Sequence, residues 1–140
     1  MKLFILPLLL TFALLTTDIH EDENKRSLIG EWNFKSIRTV VDSGNGKYAV
    51  KESGLIQDLK VEFEEDNKVF LKNINGKVDS LSFTKRGREI VLNYTGNNSY
   101  YKSFEGRFKI IFNRKQNLLQ VELKKNDNYS IFLERYCSSC

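Results

Sequence analysis

Two cysteines, one histidine and a run of carboxylates are the residues of this 140-residue chain whose types could carry catalysis or bind a metal. Cys137 and Cys140 stand in a C-terminal Cys-Ser-Ser-Cys. In an oxidising compartment such a pair reads first as a small terminal disulfide, which closes too short a loop to add much chain-entropy stabilisation. Intermolecular pairing and a redox or metal role are the alternatives. A redox couple needs a helix N-terminus to lower one thiol pKa, and a chain tail offers none. A zinc site needs two more ligands, and the only histidine is His20, in the N-terminal region. Glu62, Glu64, Glu65 and Asp66 cluster as well, but their spacing puts them on the wet side of a strand or in a turn, as solvated charge.

Neither a Ser-His-Asp nor a Cys-His arrangement can be assembled from one remote histidine. Asp42-Ser43-Gly44-Asn45-Gly46 is glycine-rich, yet no helix follows it to hold a phosphate. An enzyme is therefore not expected, nor a cofactor, nor a metal. Lys85-Arg86-Gly87-Arg88 has the composition of a hairpin tip. With a formal charge of only +4 over the whole chain, nucleic acid is not an expected partner.

The elements that would position any site begin after a different kind of segment. Lys2 precedes residues 3–15, which are apolar except for Pro7 and Thr11. A short cationic stretch before an apolar run is the pattern of a secretory signal, read as residues 1–17. The run is too short to span a bilayer, which takes about 20 residues, and no later run is longer, so no transmembrane helix is expected. No cysteine follows the run to accept a lipid anchor. The expectation is an exported protein, periplasmic or extracellular, with residues 18–27 as a polar linker.

From Leu28 onward short alternating runs recur every 8–12 residues between Asn, Asp, Gly and Lys clusters. That is the pattern of antiparallel strands joined by hairpins, dry on one face and wet on the other. The strands are read at about 31–41, 58–64, 68–74, 78–84, 88–94, 104–112, 117–124 and 128–135. The first slips out of phase at Ile37, and a bulge is expected at Gly106. No sustained helical period appears, which excludes a parallel α/β sheet. The fold class is all-β: an eight-stranded antiparallel up-and-down β-barrel over residues 28–136, nine-stranded if Lys47–Lys51 pairs, with residues 137–140 as a tail. Two connections are long, 42–57 and 95–103. With eight strands both fall at one end, which would be the mouth of a cup; a ninth strand would reverse the ends of every later loop.

Leu28-Ile29-Gly30-Glu31-Trp32 opens the first strand, and Phe132-Leu133-Glu134-Arg135 closes the last. A Gly-x-Trp opening an eight-strand meander that ends in Arg resembles the lipocalin and calycin pattern. The short length resembles the compact bacterial lipocalin-like domains. The resemblance covers about 28–135. It implies a closed barrel with a structural plug, in which Arg135 lies across the Trp32 indole and Gly30 lets the chain pass beneath the ring. An even strand count brings the last strand back beside the first, which supports that pairing.

The resemblance further implies a cup for an apolar or amphipathic small molecule. Its expected lining is Phe34, Val61, Phe63, Leu92, Phe108 and Val121, with Leu119 and Leu123. Tyr100, Tyr101 and Phe104, with the 42–57 loop, would gate the mouth, and Tyr48 and Tyr94 lie near it. Burial at roughly 25 cal/mol per Å² would supply the affinity. The alternative is a filled barrel serving as a protein-interaction module in the cell envelope.

Overall fold

The computed structural model describes residues 28–54, 58–76 and 78–137. The expected signal segment, the linker and Cys140 lie outside them. The chain divides into two units, Met1–Gly30 and Glu31–Cys140, and the second carries the barrel.

Nine strands follow one another: β1 (Gly30–Asp42), β2 (Tyr48–Ser53), β3 (Lys60–Phe63), β4 (Lys68–Lys72), β5 (Val78–Arg86), β6 (Glu89–Asn93), β7 (Gly106–Lys115), β8 (Leu118–Asn126) and β9 (Tyr129–Tyr136). Every strand from β3 to β9 pairs with its sequence neighbour, and β9 returns to pair with β1. The ring closes through Asn33↔Glu134, Phe34↔Leu133 and Ile37↔Ile131. A closed eight-strand antiparallel barrel of up-and-down order results, with β2 as one extra strand.

The extra strand is the Lys47–Lys51 stretch, and it does not reverse the barrel. β2 pairs with β1 from Ile37↔Ser53 to Asp42↔Tyr48. Residues 37–39 of β1 pair with β9 on their other edge, so β2 takes the edge that β3 also uses. The Phe34 amide donates to the Leu59 carbonyl at 2.9 Å, one step further down that same edge. β2 and β3 are therefore two pieces of one stave. The turns after β1, β4, β6 and β8 all lie at one end of the barrel.

The slip at Ile37 is a register shift between Phe34 and Ser36 against β9. An extra residue there lets Trp32 and Ile37, which are out of phase, both face inward. The bulge expected at Gly106 is not found. Residues Tyr101–Phe104 form a 3-10 turn, and β7 starts at Gly106 in unbroken register with β6, Leu92↔Gly106.

Alternation builds the core. Val61 and Phe63 of β3 face Leu71 and Val69 of β4 across the ladder, and all four are buried. Phe83 meets Leu92, and Ile110 meets Leu123, in the same manner. Phe63 and Phe83 pack edge to face at 5.7 Å, the arrangement aromatic quadrupoles favour. Outward positions carry charge, as in Lys60–Glu31 at 3.1 Å and the Lys72–Glu62 pair, which hydrogen-bonds. Contact with Glu62 raises the Lys72 pKa.

Trp32 and Arg135 meet at the closed end, with the guanidinium carbon 4.0 Å from the ring centroid. Trp32 is fully buried, and Phe112 packs against it at 6.5 Å. Arg135 belongs to the inward set because its cross-strand partner is Leu119. Burial holds its pKa below the ordinary arginine value. Gly30 has φ +117°, a conformation open to glycine and strained for other residues.

Candidate binding mouth of the barrel

At the other end the inward positions stop being apolar. Asp79 continues the inward phase of Leu81 and Phe83 and pairs across the ladder with buried Leu71. Lys125 follows the inward run Leu119, Val121 and Leu123 and stands, exposed, in the register shift between Lys124 and Asn126 that ends β8. Tyr94 continues Ile90 and Leu92, and Tyr129 opens β9 opposite Thr39. An apolar tube is thus rimmed by one carboxylate, one ammonium and two phenols.

The segment between β6 and β7 covers this rim. Its 3-10 turn Tyr101–Phe104 buries both terminal aromatics and leaves Lys102 outside. Phe104 packs edge-on against Phe34 at 5.8 Å, and Tyr101 against Tyr94 at 6.3 Å and 88°. The Tyr94 hydroxyl donates to Asp79 Oδ2 at 2.7 Å and accepts the Asn98 amide at 3.1 Å. Gly96 makes this possible, because a Cβ there would collide with the Tyr94 hydroxyl. The Tyr129 hydroxyl donates to the Ser103 carbonyl at 2.8 Å. Two phenols from the barrel wall therefore pin the covering segment.

Lys125 stands on the opposite side of that pin. Its ammonium lies 5.7 Å from the Tyr129 ring centroid and 6.0 Å from that of Phe108, within cation–π reach, and donates to the Glu105 carbonyl at 3.3 Å. Gly106 leaves room for its stem; a Cβ there would approach Cε and Nζ to 3.1 Å.

Burial sets the protonation of the rim. It raises the Tyr94 pKa, with the hydrogen bond to Asp79 acting in the same direction. It also raises that of Tyr129. Both phenols are neutral donors at ordinary pH. Among the described residues no group of three or more His, Cys, Asp or Glu side chains could hold a metal ion. No helix among them is long and apolar enough to cross a membrane.

The residues expected to line a cup fall into two groups. Val61, Phe63, Leu92, Phe108 and Val121 are buried in the barrel, with Leu119 and Leu123. Phe34 is half-buried beneath Phe104. Of the expected gate, Tyr101 and Phe104 point inward, whereas Tyr100 is exposed. The 42–57 stretch is the β1–β2 hairpin followed by residues of which 55–57 lie outside the described part. Tyr48 lies on the exposed hairpin, away from the interior. The Cys137 amide donates to the Asn117 carbonyl at 2.8 Å, at the closed end.

Asp79, Lys125 and Tyr129 were not among the expected site residues. Their signal was phase: each sits two positions beyond a run of inward apolar residues. Comparison with family models, with curated proteins and with solved structures finds no match to this chain.

Proposed function

We propose that this chain is an exported, lipocalin-like binding protein that holds one apolar or amphipathic small molecule in its barrel. One observation carries the reading. Inward-phased Asp79, and Lys125 with its ammonium over the Phe108 and Tyr129 rings, sit at the end where the β6–β7 connection inserts Tyr101 and Phe104 above a largely apolar interior. Binding sites of this type are apolar with a few convergent polar groups that fix orientation. An eight-strand barrel is wide enough for its own side chains or for one small ligand.

The 94–105 segment would act as the gate. A ligand takes the place of Tyr101 and Phe104, and the two phenol hydrogen bonds define the closed state. The apolar part of the ligand replaces aromatic contacts along Phe34, Phe108 and Val121. A polar head meets Lys125 or Asp79. Arg135 and Trp32 close the far end and take no part in binding. Export and a Cys137–Cys140 disulfide belong to the same reading; an alkylating agent applied without reductant then labels neither sulfur.

Native mass spectrometry of protein purified without detergent tests the proposal. A bound small molecule, or uptake of one equivalent from a panel of lipids and amphiphiles, is expected. An unliganded mass that stays unliganded across the panel overturns it.

A further inference from the structure

β2 pairs with β1 and with no other described strand. Two hydrogen bonds beside that ladder show which of its backbone groups are used. The Ser43 amide donates to the Lys47 carbonyl at 2.9 Å, whereas the Val40 amide turns the other way, to the Asn128 carbonyl at 2.9 Å. Bonded and non-bonded pairs alternate along an antiparallel ladder. Val41↔Ala49, Thr39↔Lys51 and Ile37↔Ser53 are therefore the bonded pairs of β1 and β2. The N–H and C=O groups of Tyr48, Val50 and Glu52 point to the opposite edge, where no described residue pairs with them.

An edge of this kind is a template for another strand. Proline and bulges, which block such edges, are absent from β2. Lysines flank and interrupt it at 47 and 51, and they select what can pair. A second copy related by a two-fold axis sets residues of like parity opposite one another. With the axis at Val50, Val50 meets its counterpart and Tyr48 meets Glu52, so all three residues use both backbone groups. Lys47 then faces Ser53, and Ala49 faces Lys51. Moving the axis to Ala49 sets Lys47 against Lys51, and moving it to Lys51 sets that lysine against itself. At Glu52 two carboxylates meet. Like charges directly opposite destabilise a pair of strands. The Val50-centred register alone uses every free group and opposes no like charges.

We infer that two copies of this chain join edge to edge through β2, antiparallel and centred on Val50, into one sheet that runs from barrel to barrel. Main-chain hydrogen bonds supply the affinity of such strand addition, and the side chains supply its specificity. Here the specificity is for self: the same strand read backwards places each lysine beside a neutral residue. The contact is isologous and uses up the free edge of both copies, so assembly stops at two. A filled barrel and a hollow one would pair alike.

Sedimentation and cross-linking of the full chain test it. A concentration-dependent equilibrium between monomer and dimer is expected, with no larger species. Val50→Pro removes an N–H that β1 does not use, so the hairpin keeps its bonds while the join loses its central pair; dimer affinity should fall about tenfold or more. Val50→Lys keeps the N–H and sets two cations together on the axis, and should weaken the dimer as well. Variants with one added cysteine read the register even if the proline variant folds poorly. The Cα atoms of a directly opposed bonded pair lie about 5.5 Å apart, within disulfide reach. On oxidation Val50→Cys should give covalent dimer beyond that formed by the unsubstituted chain, which carries Cys137 and Cys140. Ala49→Cys and Lys51→Cys should not. A chain that stays monomeric at millimolar concentration overturns the inference. So does a dimer that both Val50→Pro and Val50→Lys leave intact, cross-linking strongest at 49 or 51, or assembly beyond two copies.

Discussion

The guanidinium of Arg135 stacks 4.0 Å above the ring of Trp32, joining the last strand to the first across the closed end of the barrel. Closure depends on β9 meeting β1, and this contact fastens the meeting point where Asn33 pairs with Glu134. Trp32 fills the tube and Arg135 covers it.

Replacing Arg135 with Ala should cost about 1–2 kcal/mol, the range of a partly desolvated cation–π contact. Arg135→Lys keeps the charge without the flat stacking face and should fall between the two. Urea unfolding measures both. A red shift of Trp32 emission in Arg135→Ala is the accompanying sign that water reaches the ring.

Phe104 tests the other end. It is buried on a short 3-10 turn and packs on Phe34. Phe104→Ala should cost about 3 kcal/mol, at the low end for a buried Phe because the turn can relax. Hydrogen exchange should accelerate over residues 94–105 and remain unchanged around Trp32 and Arg135.

Alkaline pH should loosen the same segment. The pKa values of Tyr94 and Tyr129 are raised in the folded state, so folding favours their protonated forms. Their contribution is complete below the ordinary tyrosine value of 10.0 and is lost as pH rises through the higher folded values. Of the six tyrosines, these two should ionise late in a tyrosinate absorbance titration. Tyr94→Phe should remove one late step and speed exchange of the Asn98 amide.

Gly106 links the fold to the rim. It has φ +133°, and a Cβ would press on the Lys125 stem. Gly106→Ala should cost about 1–3 kcal/mol in strain. It should also displace the Lys125 ammonium from the Tyr129 and Phe108 rings. Thermal unfolding reads the first effect and ligand affinity the second.

The barrel was legible because alternation repeats along most strands. Leu59-x-Val61-x-Phe63 and Leu119-x-Val121-x-Leu123 admit no other dry face, and the tight turns leave little choice of neighbour. The slip at Ile37 marked a real bulge. β2 was harder to read: it lies along the rim of the barrel with nearly every side chain exposed, so burial imprints no period on Tyr48–Ser53. The 3-10 turn was hidden because Phe104 is in phase with Phe108 and reads as strand. Asp79 and Lys125 were missed for a related reason. Asp79 keeps the inward phase and Lys125 stands in the irregularity that ends β8, but the charge of each invites assignment to a turn. Only the ladder partner Leu71 and the rings of Phe108 and Tyr129 show which way they face.

The measurement closest to the central claim is a fluorescence titration with 1-anilinonaphthalene-8-sulfonate, an amphipathic anion that brightens on leaving water. The mouth as described predicts saturation at one equivalent. Affinity should fall about tenfold in Lys125→Glu and stay unchanged in Lys109→Glu, an exposed control on the outer face. Binding that never saturates, or that both variants leave equally strong, would contradict a single ligand held at the mouth.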